Sequence, residues 1–154
     1  MIKLWLKEND IPELTSFAGN IDADKLKPFI FIAQSTDLKP ILGSELYEKI
    51  NNDYTAGTLA DEYLTMYSDY IVYMLVYFAC SHYVAFAHTD VNNNGITKPE
   101  QSAPTKEVNS LSARYRALAN NVLVTFTDWI GKNPVPEYRN ACTIKRKTNI
   151  IPWH

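Results

Sequence analysis

Glycine is scarce in this chain, with five residues in 154, at positions 19, 43, 57, 95 and 131. Each falls where the surrounding pattern predicts an element to end, so none is free to build a phosphate-cradling loop. Cysteine is scarcer still: Cys80 and Cys142 are too few for a secreted disulfide scaffold. Lys and Arg are missing altogether between Lys49 and Lys98, a stretch that carries Asp53, Asp61, Glu62, Asp69 and Asp90. Lys3, Lys7, Glu8 and Asp10 interrupt any apolar run near the N-terminus, which argues against a signal peptide there. No internal repeat, no low-complexity segment and no Gly-x-Ser-x-Gly elbow occurs.

What is present describes an ordinary globular chain. A length of 154 residues suits one domain with a core of its own. Apolar residues at 46% and charged residues at 21% exclude the disordered and collagen-like classes. Ten Tyr, six Phe and three Trp supply large buried areas with polar tips to satisfy. The expectation is a soluble, intracellular, mostly helical protein. Charge is divided unevenly. The first 137 residues hold eleven Lys and Arg against seventeen Asp and Glu, net −6, and the last 17 carry only Arg139, Lys145, Arg146 and Lys147. An acidic body with a basic tail meets partners through complementary fields, or simply keeps a solvated basic terminus.

Local patterns predict an all-α fold, a small helical bundle with two long central helices, short N-terminal helices and extended N- and C-terminal arms. Residues 2–7 alternate in part, as a short strand or docking arm would. Asp10-Ile11-Pro12-Glu13 reads as a helix start, with Gly19 as its stop. Leu26, Phe29, Ile30 and Ala33 form one helical face up to Gln34, with Pro28 disturbing its first turn. Thr36-Asp37 then reads as the cap of a brief turn containing Pro40, and Ser44 as the cap of a helix running to about Asp53.

The dominant helix is expected from about Thr58 to His88, where ten consecutive apolar residues, Ile71 to Cys80, mark it as buried. Ser81, His82 and His88 break that run short of the roughly 20 residues a bilayer span needs. Residues 89–104, with Asn92-Asn93-Asn94-Gly95, Pro99 and Pro104, suit an exposed loop or small hairpin. The last long helix is expected from about Thr105 to Gly131, with Val108, Leu111, Tyr115, Leu118, Val122, Phe126 and Trp129 as its inward stripe. The organisation is therefore one domain over 1–154: an arm at 1–9, a bundle at 10–133 with its 89–104 loop, and a tail at 134–154.

The chemistry-bearing residues make no familiar constellation. Cys80 and His82 point apart on a helix, and His82 and His88 share no face, so no metal site is expected. Ser81-His82 lies inside the most apolar helix, a poor place to admit substrate. Asp61-Glu62 and Asp22/Asp24 sit in first turns, where they complement the helix dipole. The expectation is no enzyme, no catalytic residue and no cofactor. Lys145, Arg146 and Lys147 with Arg139 give at most non-specific, salt-dependent affinity for nucleic acid. The same tail could equally add a strand to a neighbour or pin Trp153 into its pocket.

Three stretches carry a resemblance. The first is Asn20-Ile-Asp-Ala-Asp-Lys-Leu-Lys-Pro-Phe-Ile30 with Ala33-Gln34 and Leu38-Lys-Pro-Ile-Leu-Gly-Ser-Glu-Leu-Tyr47; the others are Asn93-Asn-Gly-Ile96 and Pro136-Glu-Tyr-Arg139. Taken in order over residues 20–142, they resemble the head–tail connector family of tailed phages, also called adaptor or head-completion proteins, of the type found in phages of gut Bacteroidetes. The resemblance implies a small helical protein assembling as a ring, usually of twelve copies, beneath the portal protein. It implies tail or neck proteins as further partners, DNA only as cargo passing through the channel, and no membrane. It places the protein at the head–tail junction of the virion, and in host cytoplasm before assembly. Extended termini in such rings clasp the portal or a neighbouring subunit, which makes Ile2, Leu4, Trp5, Arg139, Lys145, Arg146, Lys147, Ile151 and Trp153 the candidate contacts. The alternative is another minor virion or tail-completion protein, and behind it a small DNA-binding regulator.

Overall fold

The computed structural model describes residues 3–7, 10–15, 23–87, 90–92, 95–97 and 104–139. Its architecture is all-α with one small hairpin. In chain order the elements are α1 (Asp10–Leu14), α2 (Ala23–Ile32), α3 (Lys39–Leu42), α4 (Ser44–Ala56), α5 (Asp61–Met66), α6 (Val72–Ala87), β1 (Asp90–Asn92), β2 (Gly95–Thr97) and α7 (Thr105–Lys132). Two π-helical segments, Ala33–Leu38 and Tyr67–Ile71, join α2 to α3 and α5 to α6. The two long helical runs are thus continuous from Ala23 to Leu42 and from Asp61 to Ala87. α6 packs most extensively on α7 and next on α2.

Sequence chemistry accounts for most of the boundaries. Gly57 ends α4 in the left-handed region at φ 70°, and Thr58 N–H reaches back to the Asp53 carbonyl at 2.8 Å. That six-to-one bond closes carbonyls the helix would otherwise leave open. Gly43, at φ 77°, turns the chain between α3 and α4. Pro28 stays inside α2 because both it and Asp24, whose carbonyl loses a donor, face solvent. In the hairpin Asp90 pairs with Thr97, Val91 with Ile96 and Asn92 with Gly95.

Five expectations are corrected. Thr36 and Asp37 do not cap a turn. The Thr36 hydroxyl donates to the Ile32 carbonyl at 2.7 Å and Ser35 donates to the Phe31 carbonyl, so the helix widens and continues. The dominant helix starts at Asp61, not Thr58, after an extended Ala60, and Ser44 makes no side-chain cap. The inward stripe of α7 is Val108, Tyr115, Ala119, Phe126 and Ile130, whereas Leu111 and Leu118 are more than 40% exposed. Both ends also fold inward where described: Trp5 and Leu6 are buried, and so is Val135.

The core is a single cluster. Ile71, Met74, Leu75, Val76 and Cys80 of the α5–α6 run meet Leu26, Ile30, Ala33 and Leu38 from α2 and its π-helical continuation, with Ala119 and Phe126 from α7. The stretch Asp61–Phe86 is long and apolar enough to cross a bilayer, yet half of its apolar window is covered by other helices. Helices wrapped on both sides in this way read as core elements.

Candidate functional site

Trp5 is the best-held residue near the N-terminus. Its indole is fully buried and stacks on the Tyr47 ring, with centroids 4.8 Å apart. Indole Nε1 donates to Asn51 Oδ1 at 3.1 Å. The backbone is held as well. Trp5 N–H donates to Gln34 Oε1 at 3.0 Å, and the Tyr67 hydroxyl donates to the Trp5 carbonyl at 2.5 Å. Gln34 Nε2 in turn donates to the Lys3 carbonyl at 3.0 Å and to the Tyr47 hydroxyl at 3.1 Å. A fully buried amide therefore has three partners, as a desolvated polar group requires. Gln34 and Tyr67 each sit on a π-helical segment, so both widened turns converge on this one residue. Burial pushes the Tyr67 phenol above its usual range, and neighbouring Tyr54 adds to the shift, which keeps it a hydrogen-bond donor.

A second polar cluster ties three helical runs together. His82 Nε2 on α6 lies 2.6 Å from Asp37 Oδ2, and Arg116 Nη1 on α7 donates to Asp37 Oδ1 at 3.2 Å. The guanidinium also sits 5.5 Å over the Phe78 ring. One turn away the Ser112 hydroxyl donates to the Ser81 carbonyl at 2.9 Å, with the two hydroxyl oxygens 3.1 Å apart. That spacing leaves Ser81 as donor to Ser112. The arrangement is an interhelical clamp, with no hydroxyl of this pair bonded to the His82 ring. Among the described residues no group of three or more His, Cys, Asp or Glu is set to hold a metal ion. Burial drives the Cys80 thiol up to about 12, so it stays protonated and unreactive.

The chain leaving α7 is pinned by a third cluster. The Tyr63 hydroxyl donates to Glu137 Oε2 at 2.6 Å, and this bond, reinforced by burial, raises the phenol to about 12. Lys49 pairs with Asp53 at 2.8 Å and lies 5.1 Å over the Tyr63 ring. Tyr138 meets Phe126 edge-on, and Arg139 reaches Glu45 at 3.4 Å across the surface. Residues 134–139, expected to begin the extended tail, lie against α4, α5 and α7 instead.

The candidate contact residues divide accordingly. Trp5 is corrected: it is an anchor of this chain's own core rather than a side chain presented to a partner. Leu4 packs partly against the same core. Arg139 is exposed and in a loose ion pair. Ile2, Lys145, Arg146, Lys147, Ile151 and Trp153 lie outside the described residues. Sequence reasoning passed over Gln34 and Asp37 as site residues, because neither belongs to a local motif and both take their partners from distant helices.

Apolar surface remains on the outer side of the bundle. Leu111 and Leu118 on α7 line a groove of about 320 Å³ with Leu14, Tyr77 and Arg114. Val124 is 61% exposed further along α7, and residues 117–127 contain no charged side chain. A helix uncharged all round over three turns is unusual where it faces water.

No curated protein and no solved structure matches the chain. A family model does, over residues 38–148, which is more than two thirds of the sequence and takes in Tyr47, Asn51, Tyr67, His82 and Arg116. The chain therefore belongs to DUF6712, a family of unknown function.

Proposed function

We propose that this protein is a structural component of a phage virion, a head–tail connector that forms a ring beneath the portal protein, extends the DNA channel and docks the tail. The observation that carries the reading is the partly apolar flank of α7 where Leu111 and Leu118 are exposed and line a groove with Arg114. Such a flank is what a copy-to-copy contact would cover. The resemblance over residues 20–142 supplies the identity of the assembly. The polar clusters support it from the other side, since their hydrogen bonds close inside the fold, between helices or onto the segments at either end.

In this reading the acidic body faces passing DNA without adhering to it, and DNA is cargo rather than ligand. The basic tail from Lys145 to Lys147, with Ile151 and Trp153, is the contact with portal or neighbour, and Ile2, Leu4 and Arg139 contribute at the edges. Assembly takes place in the host cytoplasm, and the finished protein resides at the head–tail junction.

Quantitative mass spectrometry of purified virions tests this, counting the chain against the portal protein. A ratio near one is expected. A large excess points to a capsid or tail-tube component, and absence from the particle overturns a virion role. Deleting residues 143–154 is expected to abolish incorporation while the bundle remains folded; unchanged incorporation would remove the tail from the contact surface.

A further inference from the structure

The groove beside α7 is apolar with a cation at its edge. Leu14, Tyr77, Leu111 and Leu118 line it, and Arg114 lies between the two exposed leucines in sequence. A neighbouring depression shares Leu111 and Arg114 and adds Lys106 and Glu107, so this patch is net positive on a net negative body. Among the described residues Arg114 has no ion-pair partner. A surface of this kind is complementary to an aliphatic side chain with carboxylates beside it.

α5 carries that combination on its outside. Leu64 is 47% exposed. Asp61, three residues before it, shares its helical face, and Glu62 lies alongside; both acids are exposed. Neither acid has an ion-pair partner among the described residues. This ridge cannot reach the groove of its own chain. Leu64 and Tyr77 are thirteen residues apart on one continuous helical run, which places them about 20 Å apart along its axis.

We propose that α5 of a second copy fills the groove: Leu64 seats between Leu111 and Leu118, and Asp61 and Glu62 face Arg114. The contact joins two different patches, so it runs head to tail, and repeated about an axis it closes a ring. For that ring the inference rests on the connector reading; the contact itself needs only a second copy.

The test mixes two full-length variants, each with one surface disabled. Leu118→Asp spoils the groove and keeps the α5 ridge, and Leu64→Asp does the reverse. Both positions are exposed, so both chains should keep their helicity; serine replaces aspartate in any chain that does not fold. In sedimentation equilibrium each variant alone should stay monomeric, while the mixture forms a one-to-one complex that grows no further. Adding Arg114→Glu to the Leu64→Asp chain should weaken that complex by about tenfold or more, since it sets like charges face to face.

A mixture that stays monomeric up to about 1 mM, the effective concentration of neighbours held on a common platform, overturns the proposal. So does pairing by either variant alone, or a complex indifferent to Arg114→Glu. The connector reading is judged separately by the virion count. A ratio near one with no complex in the mixture keeps the connector and removes this contact, and a complex formed by a chain absent from virions does the opposite.

Discussion

Gln34 and Asp37 lie three residues apart on the same π-helical segment, and they hold the molecule together in different ways. Gln34 is fully buried and neutral; its amide faces the N-terminal segment and α4. Asp37 is charged, 12% exposed at its side chain, and faces α6 and α7. The neutral node lies in low dielectric, where each unmade hydrogen bond costs its full desolvation. The charged node lies near water, which screens its pairs and can replace a lost partner. The lesson is that stability should be concentrated at the neutral, fully buried node that holds the first few residues, rather than at the charged one.

Breaking the neutral node should have the largest effect. Trp5→Ala removes a fully buried indole, and a loss of about 3–5 kcal/mol is expected in denaturant unfolding. A loss under about 1 kcal/mol, typical of a surface site, would mean that the segment is peripheral. Gln34→Ala comes next at about 2–3 kcal/mol, since the Trp5 N–H, the Lys3 carbonyl and the Tyr47 hydroxyl all lose their partner. Leu75→Ala in the middle of α6 provides the scale, at about 2–5 kcal/mol for an ordinary core leucine.

The charged node should give less. Asp37→Asn is expected to cost about 1 kcal/mol, and the cost should shrink as salt rises from low to about 1 M. A double-mutant cycle with Arg116→Ala should return a coupling below about 1 kcal/mol, because the guanidinium is nearly half exposed. Equal losses for Gln34→Ala and Asp37→Asn, both insensitive to salt, would erase the distinction between the nodes.

The smallest effects concern Tyr63 and Cys80. Tyr63→Phe should cost about 0.5–1.5 kcal/mol by freeing Glu137. The Tyr63 phenol is raised in the folded state to about 12, so its contribution is complete below the ordinary tyrosine range near pH 10 and is lost as pH rises toward 12. The cost of Tyr63→Phe in denaturant unfolding should therefore be complete below about pH 10 and shrink as pH rises toward 12. In a Cys142→Ser background, Cys80 should react with a thiol reagent only at the rate of unfolding, given its burial and raised pKa.

Some of this was legible in the chain alone. The ten-residue apolar run fixed α6 as a core helix, and the three-four spacing between Pro104 and Pro134 bounded α7 to within a residue or two. The inward stripe of α7 was harder. Large residues at 111 and 118 and small ones at 112 and 119 follow the same spacing, and the close approach of α6 selects Ser112 and Ala119 for the inner side. Trp5 could not be placed from its neighbours. A docking arm and a buried strap share the pattern Leu-Trp-Leu, and the choice is made by Gln34 and Tyr67, 29 and 62 residues away. The π-helical segment Ala33–Leu38 was invisible for a related reason: within it Ser35 and Thr36 bond to backbone carbonyls four residues back, and no periodicity announces it.

Leu4, Trp5 and Leu6 belong to the core. Hydrogen exchange of the full-length protein, read at the Trp5 amide by nuclear magnetic resonance, tests it most directly. This amide is expected to exchange as slowly as those of α6, and Gln34→Ala to speed it selectively while α6 stays protected. A Trp5 amide that exchanges as fast as an unstructured one, in a protein whose α6 is protected, would contradict it.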